Sequence, residues 1–220
     1  MRQFNRTPLT HPLRRILFLC LGLMIMAFGV AFSIKAGLGT SPISSVPYVT
    51  SEISGLSVGA TTITMNFLFV LIQIAILRRN YDWFQILQFP AAILFGLTID
   101  LAEWIIAPLP CSGYLMAWGY CALGIVLIAF GVSVEVMANL VTTAGEGIVL
   151  AICQVAPVKF GNMKMCFDVT LVCIAIVLSL VFLGHLSGVR EGTIAAAILV
   201  GQITKQTNKL TKKVELSVLN

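Results

Sequence analysis

Three stretches of this chain, Ile16–Ile34, Leu56–Leu77 and Val169–Val189, contain no Asp, Glu, Lys or Arg. Each is close to the ~20 residues that a helix needs to cross the hydrocarbon of a bilayer. Backbone inside lipid must satisfy its own hydrogen bonds, which leaves helices as the simplest way to house such runs. Composition agrees: 58% of residues are hydrophobic, 10% are charged and the mean hydropathy is +0.98. A water-soluble surface cannot be covered with so few polar side chains. The sequence predicts an all-α polytopic membrane protein whose main surroundings are the lipid bilayer.

The second constraint is a repeat at an offset of 102 residues. Leu21, Gly22, Ala27, Phe28 and Gly29 recur as Leu123, Gly124, Ala129, Phe130 and Gly131. Ala36, Leu38 and Thr40 match Ala138, Leu140 and Thr142, and Gly59 matches Gly161. Val70, Ile72 and Ile74 match Val172, Ile174 and Ile176, while Asn66 faces Asp168. Further on the offset becomes 105, with Ala91–Gly96 against Ala196–Gly201. Composition alone produces Ile and Val coincidences, but not paired glycines at one spacing.

Each half predicts a long helix, a break, a short helix and two further long helices. The long ones are expected over 16–35, 58–77, 83–106, 114–137, 160–183 and 190–204. The short ones are expected over 43–53 and 148–155, well under the ~30 Å hydrocarbon thickness at 1.5 Å per residue. The first run follows Arg14 and Arg15 as a signal peptide would, but it is longer than a typical ~7–15-residue signal core. Ser33–Ala36 is also a poor cleavage site, so an uncleaved first helix is expected. If the short helices do not cross, all 14 Lys and Arg residues except Lys35 and Arg190 fall on the side of the N-terminus. The positive-inside rule makes that side cytoplasmic, with both termini there.

Three spans per half is an odd number, so the halves must be oppositely oriented. The expected fold is six transmembrane helices as 3+3 inverted repeats, each with a short re-entrant or half-membrane helix after its first span. The boundaries are a basic arm (1–15), a first repeat (16–107), an external loop (108–113), a second repeat (114–204) and a Lys-rich tail (205–220).

The polar residues of the breaks are the first candidates for a site. Thr40 and Ser41 lie in one break; Thr142, Thr143 and Glu146 lie in the other. Each break leads into a short helix whose free N–H groups and positive dipole end suit an anion. Glu146 in the second break is a competitor, because it can itself neutralise the dipole or attract a cation. Asp168 lies about 12 Å along its helix, near the midplane, where a carboxyl is costly and usually faces a cavity or a partner. Asp168 and its counterpart Asn66 complete the substrate-binding set; a hydrogen-bonded structural role for Asp168 is the alternative. Asp100 and Glu103 are expected to pair with Lys35 or Arg190 at the outer ends or to be solvated at the interface, and Glu135 likewise to be paired or solvated at its helix end. Trp83, Trp104 and Trp118 fit an interfacial belt.

Other chemistry finds no support. The net charge of +5 gathers at helix ends rather than on one face, so no nucleic-acid partner is expected. The six cysteines form no CxxC and no cluster with the two histidines, so no metal and no cofactor is expected. No triad, P-loop or zinc motif is present, and an enzyme is not expected.

Ala36-Gly37-Leu38-Gly39-Thr40-Ser41-Pro42, Asn66 and Gly188-Val189-Arg190-Glu191-Gly192-Thr193-Ile194 carry a family likeness. On these the chain resembles the YczE/YyaS/YitT group of bacterial integral membrane proteins, over about Ile16 to Thr204. The resemblance implies a small multi-pass protein of the bacterial cytoplasmic membrane and supplies no binding residues. Inverted repeats with interrupted helices recur in secondary transporters, with the site near the midplane. The expected function is therefore a secondary transporter or exporter of a small polar metabolite or ion. The alternative is a non-transporting ligand-capture or accessory subunit; a homo-oligomer or a partner protein is compatible with either.

Overall fold

The computed structural model describes residues 12–218, and side chains only as far as residue 208. Arg2 and Arg6 of the expected basic arm lie outside the described residues. The protein is helical throughout its described part: α1 (Pro12–Ala36), α2 (Pro42–Ser54), α3 (Val58–Leu77), α4 (Gln88–Ile106), α5 (Tyr114–Ala138), α6 (Ala144–Val155), α7 (Phe160–Leu178) and α8 (Glu191–Val218). Short 3-10 turns, Arg78–Asn80 and Trp83–Leu87, join α3 to α4, and a π-helical turn, Ser179–Leu183, extends α7. The order long, short, long, long occurs twice.

Local chemistry explains the boundaries. Gly37 and Gly39 end α1 at φ +64° and +95°, which side chains resist. Asn139, 102 residues after Gly37, makes the matching left-handed turn at φ +47° after α5. Asn is among the few residues that tolerate it, because its short amide can bond locally. Pro42 then starts α2 at a position where a missing N–H costs nothing. α2 has 13 residues and α6 has 12, or roughly 20 and 18 Å, so neither spans the hydrocarbon alone.

Two expected boundaries are corrected. α1 begins at Pro12, so residues 12–15 are its first turn rather than part of an arm. Arg15 is buried there, and its Nη1 donates to the carbonyl of Ala138 at 3.1 Å, closing the C-terminus of α5. α8 does not stop near Thr204; its helix continues through the lysines of 205–213 to Val218. No Gly or Pro follows Gly201, and Lys, Gln, Glu and Leu are good helix formers.

Among the described residues, five helices are long and apolar enough to cross a bilayer: those beginning at Pro12, Val58, Trp83, Tyr114 and Phe160. The expected sixth, α8, is not one of them. Its apolar part runs only about Gly192–Ile203 before the polar and lysine-rich half begins. Trp83 and Trp104 are 69% and 75% exposed near helix ends, as lipid-interface residues would be.

The core is the pair α1 and α5. Gly22 lies against Gly131, and Gly29 against Gly124, so the two helices run antiparallel. A Cβ on Gly22 would fall 2.8 Å from the backbone nitrogen of Glu135, and one on Gly29 2.7 Å from that of Ile128. Without a hydrophobic drive between helices in lipid, such close backbone approach is what van der Waals packing needs. α4 lies along α1 and α8 along α5. Leu23, Val30, Ile99 and Ile128 fill the space around this pair.

The short helices are held between halves. α2 packs on α7, and α6 packs on α3. Gly145 leaves room for Ile43 of α2, and Gly147 leaves room for the Gln73 amide of α3. Gln73 Nε2 donates to the carbonyl of Ala144 at 3.0 Å and to Gln88 Oε1 at 3.1 Å, tying α3 to α6 and α4. Both glutamines are 2% exposed, and a buried amide is stable there only because it is bonded.

Candidate functional site

A cavity of about 730 Å³ lies where the two breaks meet, walled by helices from both halves. The break before α2 contributes Ser41, and the break before α6 contributes Thr142 and Thr143. α3 adds Asn66, α6 adds Glu146 and α7 adds Asp168. Six of the seven residues selected from sequence therefore line one space.

Thr40 does not. It is 2% exposed and faces away, with its N–H donating to the carbonyl of Gly188 at 3.0 Å and its hydroxyl to the same oxygen at 3.4 Å. Leu38 accepts from the N–H of Gly192 at 2.8 Å beside it. Thr40 thus fastens the first break to the loop ahead of α8. Its role in this structure is positional.

One donor at the N-terminus of α6 already has a partner. Glu135, 4% exposed, reaches from the last turns of α5 and accepts the N–H of Thr143 at 2.7 Å. A carboxylate at this end of a helix satisfies an orphan donor and the dipole together. The sequence offered this helix end to an external anion or to Glu146; the preceding helix supplies a further carboxyl, which takes the N–H of the N-cap residue. At the equivalent place in the first half is Ser33, whose hydroxyl bonds to the carbonyl of Gly29 at 3.0 Å. Among the described residues no carboxylate bonds to the start of α2. Ser41 Oγ donates to Ser44 Oγ at 3.0 Å and does not cap the α2 backbone.

Asp168 sits eight residues into α7, as expected, but it is not alone. Lys164, one turn earlier, meets its Oδ1 at 2.5 Å, with both side chains about one-quarter exposed. Lys164 belongs to the cavity wall. Glu146 is within electrostatic reach of both, and Glu135 within reach of Glu146. Among the described lining residues the acidic side chains are Glu135, Glu146 and Asp168, against Lys164. The formal balance favours positive charge in the cavity. Asn66 brings a half-buried amide to the wall with no hydrogen bond from the described residues.

The outer-end acid Asp100 has a structural role, with partners other than the two outer cations. Asp100 pairs with neither Lys35 nor Arg190. It accepts Ser57 Oγ–H and Gly59 N–H, each at 2.7 Å, and so caps α3. Lys35 instead donates to the carbonyl of Ala107 at 2.8 Å, and Arg190 to that of Gly37 at 3.1 Å. Helix-end carbonyls and N–H groups are fixed in space by the fold and compete well for mobile charged side chains.

Glu135 and Lys164 are ionisable side chains of the cavity wall that the sequence did not single out as site residues. For Lys164 a signal was present in its i, i+4 spacing from Asp168. For Glu135 the signal was only a carboxyl eight residues before Thr143, across a break whose fold-back is not written in the sequence.

The chain matches, over residues 13–209, the family described as "Family of unknown function (DUF6198)". It is 26% identical over 185 residues to "Uncharacterized protein YyaS" of Bacillus subtilis (strain 168), covering 83% of this chain and 87% of that protein. It is 30% identical over 187 residues to "Uncharacterized membrane protein YczE" of the same organism, covering 84% of this chain and 80% of that one. No solved structure matches. The chain belongs to the DUF6198 family, and its resemblance to YczE and YyaS holds along most of its length.

Proposed function

We propose that this multi-pass membrane protein of the DUF6198 family is a secondary transporter or exporter of a small polar metabolite. In this reading the chain forms six spans as a 3+3 inverted repeat in the bacterial cytoplasmic membrane, with both termini cytoplasmic. The antiparallel crossing of α1 and α5 at matched glycines supports it, because oppositely oriented halves require that crossing. The observation that carries the function is the convergence of both breaks, Asn66 and Asp168 on one cavity between the halves. Broken backbone at membrane depth needs such a cavity, and transporters place their sites there. Binding and release without bond chemistry fits the lining. Its excess of carboxyls suits a cargo bearing an amine, or one accompanied by a proton.

A thermal-shift screen of amines, amino acids and organic anions on the purified protein comes first. A ligand held at ~100 times its Kd adds about 2.7 kcal/mol to stability. The best stabiliser is then followed into proteoliposomes, with and without a proton gradient. Flux that Asp168→Asn alters is the expected result. Tight binding with no flux under any gradient would replace transport by ligand capture. No stabiliser from any class would overturn both. For the orientation, single cysteines at Asn80 and Ser112 should label from opposite sides of the membrane.

A further inference from the structure

The cavity is closed on one flank and open on the other, at seams that the sequence repeat makes equivalent. On the closed flank α3 meets α4: a Cβ on Gly96 would fall 2.5 Å from the carbonyl oxygen of Gly59. Asp100 locks that seam from α4 by accepting the Ser57 hydroxyl and the Gly59 N–H. The equivalents of Gly59 and Gly96 are Gly161 of α7 and Gly201 of α8. A Cβ on either meets no atom of the described residues within 4 Å. Met165 and Val169 of α7 and Ile194 and Ile198 of α8 all line the cavity, yet each is more than half exposed. The space between α7 and α8 is thus a side opening of the cavity.

The lock is also missing. The residues standing where Ser57 and Asp100 stand are Lys159 and Lys205, both exposed. A hydroxyl and a carboxylate at those positions attract; two ammonium groups repel.

We propose that α7 and α8 form a gate that closes the cavity by bringing Gly161 against Gly201, as Gly59 meets Gly96, and that Lys159 and Lys205 hold it open. The proposal takes its purpose from the transport reading, since a cavity that admits cargo through a side opening must shut it. Its test needs no cargo.

Cysteines are placed in pairs in the full chain in liposomes: Ser57→Cys with Asp100→Cys, and Lys159→Cys with Lys205→Cys. Mild oxidation is followed by peptide mapping, which separates engineered disulfides from those of the native cysteines. The first pair should link readily. The second should also link within one chain, because the substitutions remove both repelling charges and the gate then visits its closed form. Adding Gly201→Leu, which fills the closing face without touching the resting structure, should cut the second link at least tenfold and leave the first unchanged. Failure of the second pair to link while the first does, insensitivity to Gly201→Leu, or a disulfide joining two chains would each overturn the gate. Linking with no flux for any compound would sink the transport reading and leave the gate standing.

Discussion

The α3–α4 and α7–α8 seams carry glycines at matched positions of the sequence, and they end in opposite states. Both keep the glycine pair that permits close approach, so glycine alone does not make a tight seam. What differs is the third element, an acid in Asp100 against a base in Lys205. Glycines permit close backbone approach, and in the proposed gate the polar residues at the helix ends decide whether contact forms.

Substitutions at matched positions should show this asymmetry, with the strongest effect at the glycines. Gly96→Leu forces a side chain into the Gly59 carbonyl and should cost about 3 kcal/mol, the upper range for overpacking. Gly201→Leu should change stability by less than about 0.5 kcal/mol, as surface substitutions do. Denaturation of the two variants in mild detergent measures both; equal losses would mean that the α7–α8 seam is shut at rest.

Asp100→Ala removes two hydrogen bonds to a charged acceptor and should cost about 2 kcal/mol. Lys205→Ala should be close to neutral, or slightly stabilising if it relieves repulsion with Lys159. A loss at Lys205 as large as that at Asp100 would show that the lysine makes a structural bond.

The two breaks offer a second pair. Glu135→Ala leaves the N–H of Thr143 without its acceptor and should cost about 1–3 kcal/mol. Ser33→Ala, at the matching position, should cost less, because its hydroxyl bonds to a carbonyl already used by the helix. Asn66→Ala should also leave stability within about 0.5 kcal/mol, since its amide has no partner among the described residues. If Asn66 holds cargo, the same variant should weaken the best thermal-shift ligand about tenfold, or ~1.4 kcal/mol. Unchanged affinity would remove Asn66 from the site.

Much of the site was legible because polar residues stand out against an apolar chain. Ser41, Asn66, Thr142, Thr143, Glu146 and Asp168 were conspicuous for that reason, and all line the cavity. Thr40 was equally conspicuous and serves a loop instead, because a hydroxyl binds a carbonyl as readily as it faces a cavity. Glu135 was discounted as a helix end, and only the fold-back of the second break shows which donor it meets. Helix length at the C-terminus was misjudged for a related reason: charge marks the end of an apolar run, whereas Gly and Pro mark the end of a helix.

By itself the sequence determined the membrane class, the two matched halves, the breaks and the short helices, since these follow from local hydropathy, turn chemistry and periodicity. Tertiary structure alone decided that Asp100 caps α3, that Glu135 accepts the N–H of Thr143, that Lys164 turns into the cavity and that one seam closes while its twin stays open. Those outcomes rest on distances of a few ångströms between residues far apart in the chain, and side chains of either sign choose the nearest fixed partner that folding provides.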